Sequence, residues 1–132
     1  AEELAKKIIG QTPNDLLGWK VLDAVLKSTG RVKESLESSQ KTVSLQPGSA
    51  DTHNNLGITL RELGKLKESE ICYRKAISID SHFYQAHNNL GTLLQFNQPD
   101  KAIYHYNIAE KDKSILFEVF LNKFLSKDDV KF

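Results

Sequence analysis

The most restrictive feature of this sequence is a pentapeptide, HNNLG, that occurs twice. It starts at His53 and again at His87, and 87 − 53 gives a spacing of 34 residues. At the same spacing Trp19 precedes His53, so a third copy is present in looser form. Other columns of this alignment hold leucine or glycine: Leu22, Leu56 and Leu90; Leu26, Leu60 and Leu94; Gly30 and Gly64. Repetition at a period of about 20 to 50 residues indicates stacked units that share one elongated core.

Each unit has the apolar spacing of two helices. In the second unit Leu56, Leu60 and Leu63 form one stripe with helical periodicity, and Gly64 then ends the helix. A second stripe follows through Tyr73, Ala76 and Ile77. Neither helix can bury its stripe alone, whereas stacked pairs form a continuous apolar core. Because no sustained two-residue alternation occurs, the sequence predicts an all-α fold.

We expect one domain over residues 1–132. Residues 1–13 are expected to be the second helix of a partial repeat, residues 14–47, 48–81 and 82–114 to be repeats, and residues 115–126 to be a C-terminal capping helix. The chain begins with Ala1 rather than Met, and we interpret it as a fragment of a longer protein.

The repeated unit resembles the tetratricopeptide repeat, a two-helix unit of 34 residues with the pattern Trp-x2-Leu-Gly-x2-Tyr, then Ala-x3-Phe, then Pro. The second unit matches this pattern at His53, Leu56, Gly57, Leu60, Ser69, Tyr73, Ala76 and Ser81. The third unit matches at His87, Leu90, Gly91, Leu94, Ala102, Tyr106, Ala109 and Ser114. The resemblance implies a right-handed α-solenoid of stacked helix-turn-helix repeats.

Two units depart from the family pattern. In the first, Asp23 stands where Gly is usual, and small polar residues replace packing residues at Ser35, Ser39 and Thr42. The third is one residue short and has FNQPD in place of the glycine-centred turn, so Pro99 is expected to open its second helix.

The tail from Ile115 to Leu125 is apolar on most sides and is predicted to be helical. One interpretation is a capping helix that packs on the third unit, because terminal repeats need special ends. The alternative is that Phe117, Phe120 or Phe124 stays exposed and contacts another subunit or a following domain. Self-association through this helix follows from the alternative.

The resemblance also implies a concave groove lined by the first helices of successive units. Asn55 and Asn89 are similar in position to the asparagine ladder in the repeat region of O-linked N-acetylglucosamine transferases. An amide both donates and accepts hydrogen bonds, so it suits an extended peptide backbone. Asparagines that are merely solvated are the alternative. The expected groove residues are Lys20, Asp51, Asn54, Asn55, Ile58, Glu62, Gln85, Asn88, Asn89, Thr92 and Phe96.

A carboxylate clamp for chaperone tails is disfavoured. Lys20 and Asn55 match the pattern of repeats that clamp a carboxylate, whereas Ala24, Gln85 and Asn89 do not match it. The clamp pattern includes cationic side chains, and two of them are missing here. The terminal carboxylate of a bound chaperone tail would therefore lack charge-assisted hydrogen bonds.

The sequence contains none of the catalytic motifs that would predict an enzyme. The sequence has no glycine-rich phosphate loop, G-x-S-x-G, H-E-x-x-H or paired C-x-x-C motif, and no cofactor or metal is predicted. His53 and His87 are expected to fill the aromatic position of Trp19 rather than to bind zinc, and Cys72 to be a packing thiol.

Charge and cysteine content limit the partners. Lys and Arg number 18 against 17 Asp and Glu, a formal net charge of +1, which favours neither nucleic acid nor membrane. A single cysteine gives no sign of an oxidising compartment, so a cytoplasmic location is expected.

Three functional hypotheses follow. The first is a non-catalytic protein-protein interaction module that binds a peptide or helix of a partner protein. The second is a substrate-selecting repeat arm of a larger enzyme, such as a glycosyltransferase-like transferase. The third, an RNA-reading helical repeat, is disfavoured by the balanced charge.

Overall fold

The protein is a single row of antiparallel helices. The computed structural model describes the backbone of residues 1–131 and the side chains of residues 1–125. Within that part of the chain every regular element is helical: α1 Glu2–Gln11, α2 Leu16–Ser28, α3 Val32–Leu45, α4 Ala50–Glu62, α5 Leu66–Ile79, α6 Tyr84–Leu94, α7 Pro99–Ala109 and α8 Leu116–Lys131. Each helix packs on the next along the chain, and α4 also contacts α6.

Two glycines reverse the chain inside the first two helix pairs. Gly30 and Gly64 have φ values of 77° and 80°, a left-handed conformation that glycine adopts without steric cost. After α2 the Arg31 N–H donates to the Leu26 carbonyl at 2.8 Å and the Gly30 N–H to the Lys27 carbonyl at 3.1 Å. This is the hydrogen-bond pattern of a Schellman motif, and it recurs around Gly64.

The third pair turns without a glycine. Helix α6 ends at Leu94, and the Gln98 N–H donates to the Leu94 carbonyl at 2.7 Å. Pro99 then begins α7, where its missing N–H costs no helical hydrogen bond, which confirms the prediction for this residue.

In the second and third helix pairs, a tyrosine ring of the second helix packs directly against a glycine of the first helix. A Cβ on Gly57 would lie 2.6 Å from Cε1 of Tyr73, and a Cβ on Gly91 would lie 2.5 Å from Cε1 of Tyr106. Both tyrosines are fully buried and belong to one cluster with Leu90. Of the predicted stripe on α4 only Leu60 is buried, whereas Leu63 and Leu56, which was expected to be buried like Leu22 and Leu90, are half-buried.

The first pair replaces the ring on glycine by a buried polar network. Asp23 accepts hydrogen bonds from Lys27 Nζ at 3.1 Å and from Ser39 Oγ at 2.8 Å. The Ser39 hydroxyl also contacts the Thr59 hydroxyl at 2.9 Å, which connects α3 to α4. The two departures from the repeat pattern, Asp23 and Ser39, therefore satisfy each other.

The C-terminal helix α8 buries one side and exposes another. Ile115, just before it, and Val119 are buried in the cluster around Tyr106. Phe117 is 79% exposed and Phe120 61% exposed, so α8 covers α7 and still presents aromatic side chains to solvent. In residues 1–131 none of the helices is long and apolar enough to cross a membrane.

Candidate interaction groove

All of the expected groove residues except Phe96 lie on α2, α4 and α6, the first helices of the three pairs. The structure connects successive first helices through polar side chains. Lys20 Nζ on α2 lies 3.4 Å from Asp51 Oδ2 on α4. Lys27 Nζ, also on α2, donates to the backbone carbonyl of Asn55 at 3.1 Å. Lys27 was not among the expected residues, and its spacing of four from Asp23 was the available signal.

The asparagine pairs of the repeated pentapeptide divide into buried and half-buried members. Asn54 is 1% exposed and its Oδ1 accepts a hydrogen bond from Asn89 Nδ2 at 3.0 Å. Asn88 is 2% exposed, donates to Glu118 Oε1 at 3.1 Å and accepts from Asn122 Nδ2 at 3.2 Å. Both of these expected groove residues thus make contacts inside the stack: Asn54 links α4 to α6, and Asn88 links α6 to α8.

The second asparagine of each pentapeptide lies nearer the surface. Asn55 and Asn89 are half-buried. The Asn55 amide makes no side-chain hydrogen bond within residues 1–125, whereas Asn89 commits one N–H to Asn54 and keeps its carbonyl oxygen. The two asparagines matched to the asparagine ladder therefore differ in how much of their hydrogen-bonding capacity remains for a ligand.

A polar depression of about 220 Å³ lies between α4, α6 and the start of α8. Its lining joins four expected residues to three that sequence reasoning missed: Ile58, Gln85, Asn88 and Asn89 with Arg61, Ile115 and Glu118. The Arg61 guanidinium forms no ion pair with the side chains described. A charged group without an internal partner is available to a ligand.

Three expected residues contribute little to this arrangement. Glu62 is exposed at the last position of α4. Thr92 donates its hydroxyl hydrogen to the Asn89 carbonyl of its own helix at 2.6 Å. Phe96 is 71% exposed and lies beyond the end of α6, so the helical spacing that put it on the groove face does not reach it.

Trp19, His53 and His87, which occupy the same position in the three repeats, each form an equivalent hydrogen bond from the ring to a backbone carbonyl. Trp19 Nε1 donates to the Pro13 carbonyl at 2.7 Å, and the same bond joins His53 Nε2 to Pro47 at 2.8 Å and His87 Nε2 to Ser81 at 3.1 Å. Both histidines thus occupy the position of Trp19. Within the described side chains no three metal-binding groups converge.

His87 also forms a buried pair with His105 of α7, with Nδ1 to Nδ1 at 3.0 Å. Because a carbonyl only accepts, His87 carries its proton on Nε2, and His105 therefore donates from Nδ1. Burial lowers the pKa of His87, and burial together with the neighbouring His87 lowers the pKa of His105 to about 4. Both rings are neutral at physiological pH.

Cys72 on α5 is half-buried, and burial raises the pKa of its thiol. A raised pKa keeps the sulfur protonated at neutral pH. The thiol therefore lacks the thiolate character of a nucleophile.

Comparisons with known proteins agree with this geometry. The family model for the tetratricopeptide repeat matches residues 50–83. A crystal structure of MamA superposes with a TM-score of 0.83 at 21% identity, covering 98% of this chain and 77% of that one. The TPR2B domain of yeast Sti1, in its pHsp70 complex, superposes with a TM-score of 0.79 at 14% identity over 86% of this chain and 97% of that one.

A third similar structure belongs to a much longer chain. The O-GlcNAc transferase of Thermobaculum terrenum superposes with a TM-score of 0.75 at 18% identity, over 83% of this chain and 22% of that one. Comparison with curated protein sequences finds no match. Residues 50–83 are a tetratricopeptide repeat, and the chain has the all-α solenoid fold of tetratricopeptide repeat proteins, as predicted.

Proposed function

We propose that the chain is a non-catalytic interaction module that binds a peptide or a helix of a partner protein in the groove lined by α2, α4 and α6. The observation that carries the proposal is the 220 Å³ depression beside Asn89, where Arg61 and Gln85 present polar groups. The Asn55 amide, one helical turn from Ile58 on α4, adds a donor and an acceptor that have no partners among the side chains of residues 1–125.

These groups suit a peptide backbone better than a reacting substrate. The Asn55 amide can bond both the N–H and the C=O of an extended chain. The Arg61 guanidinium adds a fixed positive charge that favours a carboxylate or a carbonyl oxygen. Asn89 supplies its remaining carbonyl oxygen. The partner segment is therefore held mainly through main-chain contacts, with one acidic group near Arg61.

The structural neighbours support this use of the fold without identifying a ligand. The Sti1 domain is seen in a complex with pHsp70, so a domain of similar fold binds a partner. Residues of the carboxylate clamp are not all present here, since Ala24 and Gln85 stand at two of its positions. We therefore propose a partner other than a chaperone tail.

The test compares one groove variant with one surface variant. Partners captured by the wild type are identified by mass spectrometry, purified and titrated by calorimetry against the Asn55→Ala, Arg61→Ala double variant and against Lys75→Ala. Lys75 is exposed on α5, and its loss removes the same charge as the loss of Arg61. We expect about tenfold weaker binding for the double variant, from two lost hydrogen bonds. Equal binding by all three proteins, with unchanged melting temperatures, contradicts the proposal.

The second candidate is a substrate-selecting arm of a larger enzyme. Its support is the superposition on the O-GlcNAc transferase, of which this fold covers 22%. A longer reading frame that encodes a catalytic domain tests this candidate. A cytoplasmic location is part of either proposal, and imaging of a tagged chain tests it.

Self-association through α8 is a further part of the proposed function. Phe117, Phe120 and Phe124 are 79%, 61% and 53% exposed on this helix. Contiguous exposed aromatic side chains favour contact with another protein surface. A second copy of the chain is the occupant that we propose.

A further inference from the structure

Two opposite charges line the polar depression between α4, α6 and α8 without pairing with each other. Arg61 lies in the last turn of α4 and Glu118 in the first turn of α8, and both belong to its wall. Neither forms an ion pair with any side chain of residues 1–125. An arginine and a glutamate that share a depression without pairing leave room between them for a ligand that carries both charges.

The carboxylate of Glu118 is held in place by a buried amide. Asn88, which is 2% exposed, donates to Glu118 Oε1 at 3.1 Å and accepts a hydrogen bond from Asn122 Nδ2 at 3.2 Å. Oxygen Oε2 of Glu118 has no hydrogen-bond partner among the described side chains. No lysine or arginine stands three or four positions from Glu118 on α8 to neutralise it. The oriented carboxylate therefore favours a cation from outside the chain.

Arg61 stands where the next repeat has an acceptor for its core tyrosine. At the repeat spacing Arg61 corresponds to Gln95, whose Oε1 accepts a hydrogen bond from the Tyr106 hydroxyl at 3.2 Å. A guanidinium group cannot accept a hydrogen bond. The buried hydroxyl of Tyr73 is left without a partner in the part of the chain that the structure describes. A residue that gives up a buried hydrogen bond has a use other than stability, and here the unpaired guanidinium favours an anion.

The size of the depression sets the distance between the two charges of the ligand. A volume of about 220 Å³ corresponds to a sphere roughly 7 Å across. An extended chain rises about 3.3 Å per residue, and alternate side chains point the same way. Two side chains at positions i and i+2 therefore match the width of the depression. Gln85 and Asn89, which also line it, offer amide groups to the main chain of such a segment.

We propose that this depression selects an extended partner segment with an acidic residue and, two positions away, a lysine or arginine. The acidic side chain pairs with the Arg61 guanidinium, and the basic side chain pairs with the Glu118 carboxylate. The assignment rests on the proposed function of the groove and adds the charge pattern of the bound segment. Helix α8 is then part of the binding surface as well as the cover of α7.

Four pentapeptides with blocked ends test the charge pattern. All have glycine at positions 1, 3 and 5, with Asp or Asn at one of the two remaining positions and Lys or Gln at the other. Each is made in both orders, and the tighter order is compared. The full chain is labelled with ¹⁵N, and the side-chain amide signals of Asn88 and Asn89 are followed during titration. We expect the Asp and Lys peptide to bind most tightly, with binding about 1.5- to 5-fold weaker for each charge removed. Equal binding of the four peptides, or no saturable shift with any of them, overturns the proposal.

Two conservative variants assign each charge of the peptide to its partner. Glu118→Gln keeps an oxygen for the Asn88 hydrogen bond, so the preference for Lys over Gln should be lost while the preference for Asp over Asn remains. Arg61→Gln introduces the side chain found at Gln95 and should have the converse effect. Glu68→Gln, on the exposed side of α5, is the matched control and should keep both preferences.

The outcome for Glu118→Gln separates this inference from the proposed function. If that variant still prefers the lysine peptide, the charge pairing is wrong. The groove itself is tested independently by calorimetry with the captured partner and the Asn55→Ala, Arg61→Ala double variant. Loss of both preferences in Glu68→Gln would likewise overturn the assignment, because that residue lies outside the depression.

Discussion

Neighbouring residues of identical chemistry have different roles in this chain. Asn54 is buried and accepts a hydrogen bond from Asn89, while Asn55 is half-buried and its side chain forms no hydrogen bond within residues 1–125. Asn54→Ala should lower the free energy of unfolding by about 1 to 3 kcal/mol, because it removes a buried side chain and takes the acceptor from the half-buried amide N–H of Asn89. Asn55→Ala, as the matched control, should change it by about 0.5 kcal/mol or less. Urea unfolding measures both, and equal losses contradict the assignment of faces.

Glycine positions differ in the same way. Gly57 lies under the ring of Tyr73, so Gly57→Ala forces the ring or the helix to move, and we expect a loss of roughly 1 to 3 kcal/mol from overpacking. Gly10 on α1 has open space around its missing Cβ. Gly10→Ala should therefore stabilise the helix by up to about 1 kcal/mol. Thermal melting of the two variants should shift in opposite directions.

The histidine pair predicts a pH dependence of stability. Both folded-state pKa values are lowered, and that of His105 is about 4, below the ordinary histidine value. The unfolded chain therefore binds more protons in the range from about pH 7 down to pH 4, and stability falls as the pH falls through it. His82 and Arg74 lie close enough to oppose protonation further.

Urea unfolding at pH 7.5 and pH 5.5 measures this effect above the range in which carboxylates titrate. The wild type should be less stable at the lower pH. His105→Gln should show a smaller difference, and His82→Gln, which changes an exposed histidine with only a minor effect on His87, should keep most of it. The same difference in wild type and His105→Gln would show that the pair is not its source.

Among the elements, α8 is the helix with an unmatched apolar face. It covers α7 through Val119 and leaves Phe117 and Phe120 largely exposed. The Phe117→Ser, Phe120→Ser double variant should shift sedimentation from associated species toward the monomer, because it removes exposed apolar area. Lys101→Ser on α7 is the surface control and should sediment like the wild type. A wild type that remains monomeric at millimolar concentration rules out self-association through this face.

Over the whole molecule, stability depends on contacts between neighbouring helices. Each helix contacts mainly the one before and the one after it, as in other linear repeat arrays. Within the described residues α2 to α7 each lie between two helices, with α4 to α6 the most central, whereas α1 and α8 lie at the two ends of the stack. Hydrogen exchange should therefore be slowest in α4 to α6 and fastest in α1 and α8. Uniform protection along the chain would show instead that the stack opens as one unit.

The repeated spacing determined much of this protein from the sequence alone. Periodic leucines predict the helices, Gly30 and Gly64 predict two turns, and Pro99 predicts the start of α7, because each depends on backbone geometry within a few neighbouring residues. The same periodicity aligned Asn55 with Asn89 and suggested a groove. Their binding role stays a prediction.

Only the tertiary structure decided which of two adjacent asparagines is free, why Asp23 is tolerated beside Ser39, and where Arg61 joins the groove. It also placed Glu118 of α8 at the same depression as Arg61. These outcomes depend on side chains from different helices meeting at distances of a few ångströms. A periodic pattern assigns a residue to a face of its own helix, but the neighbouring helix determines whether that residue is covered, paired or left open.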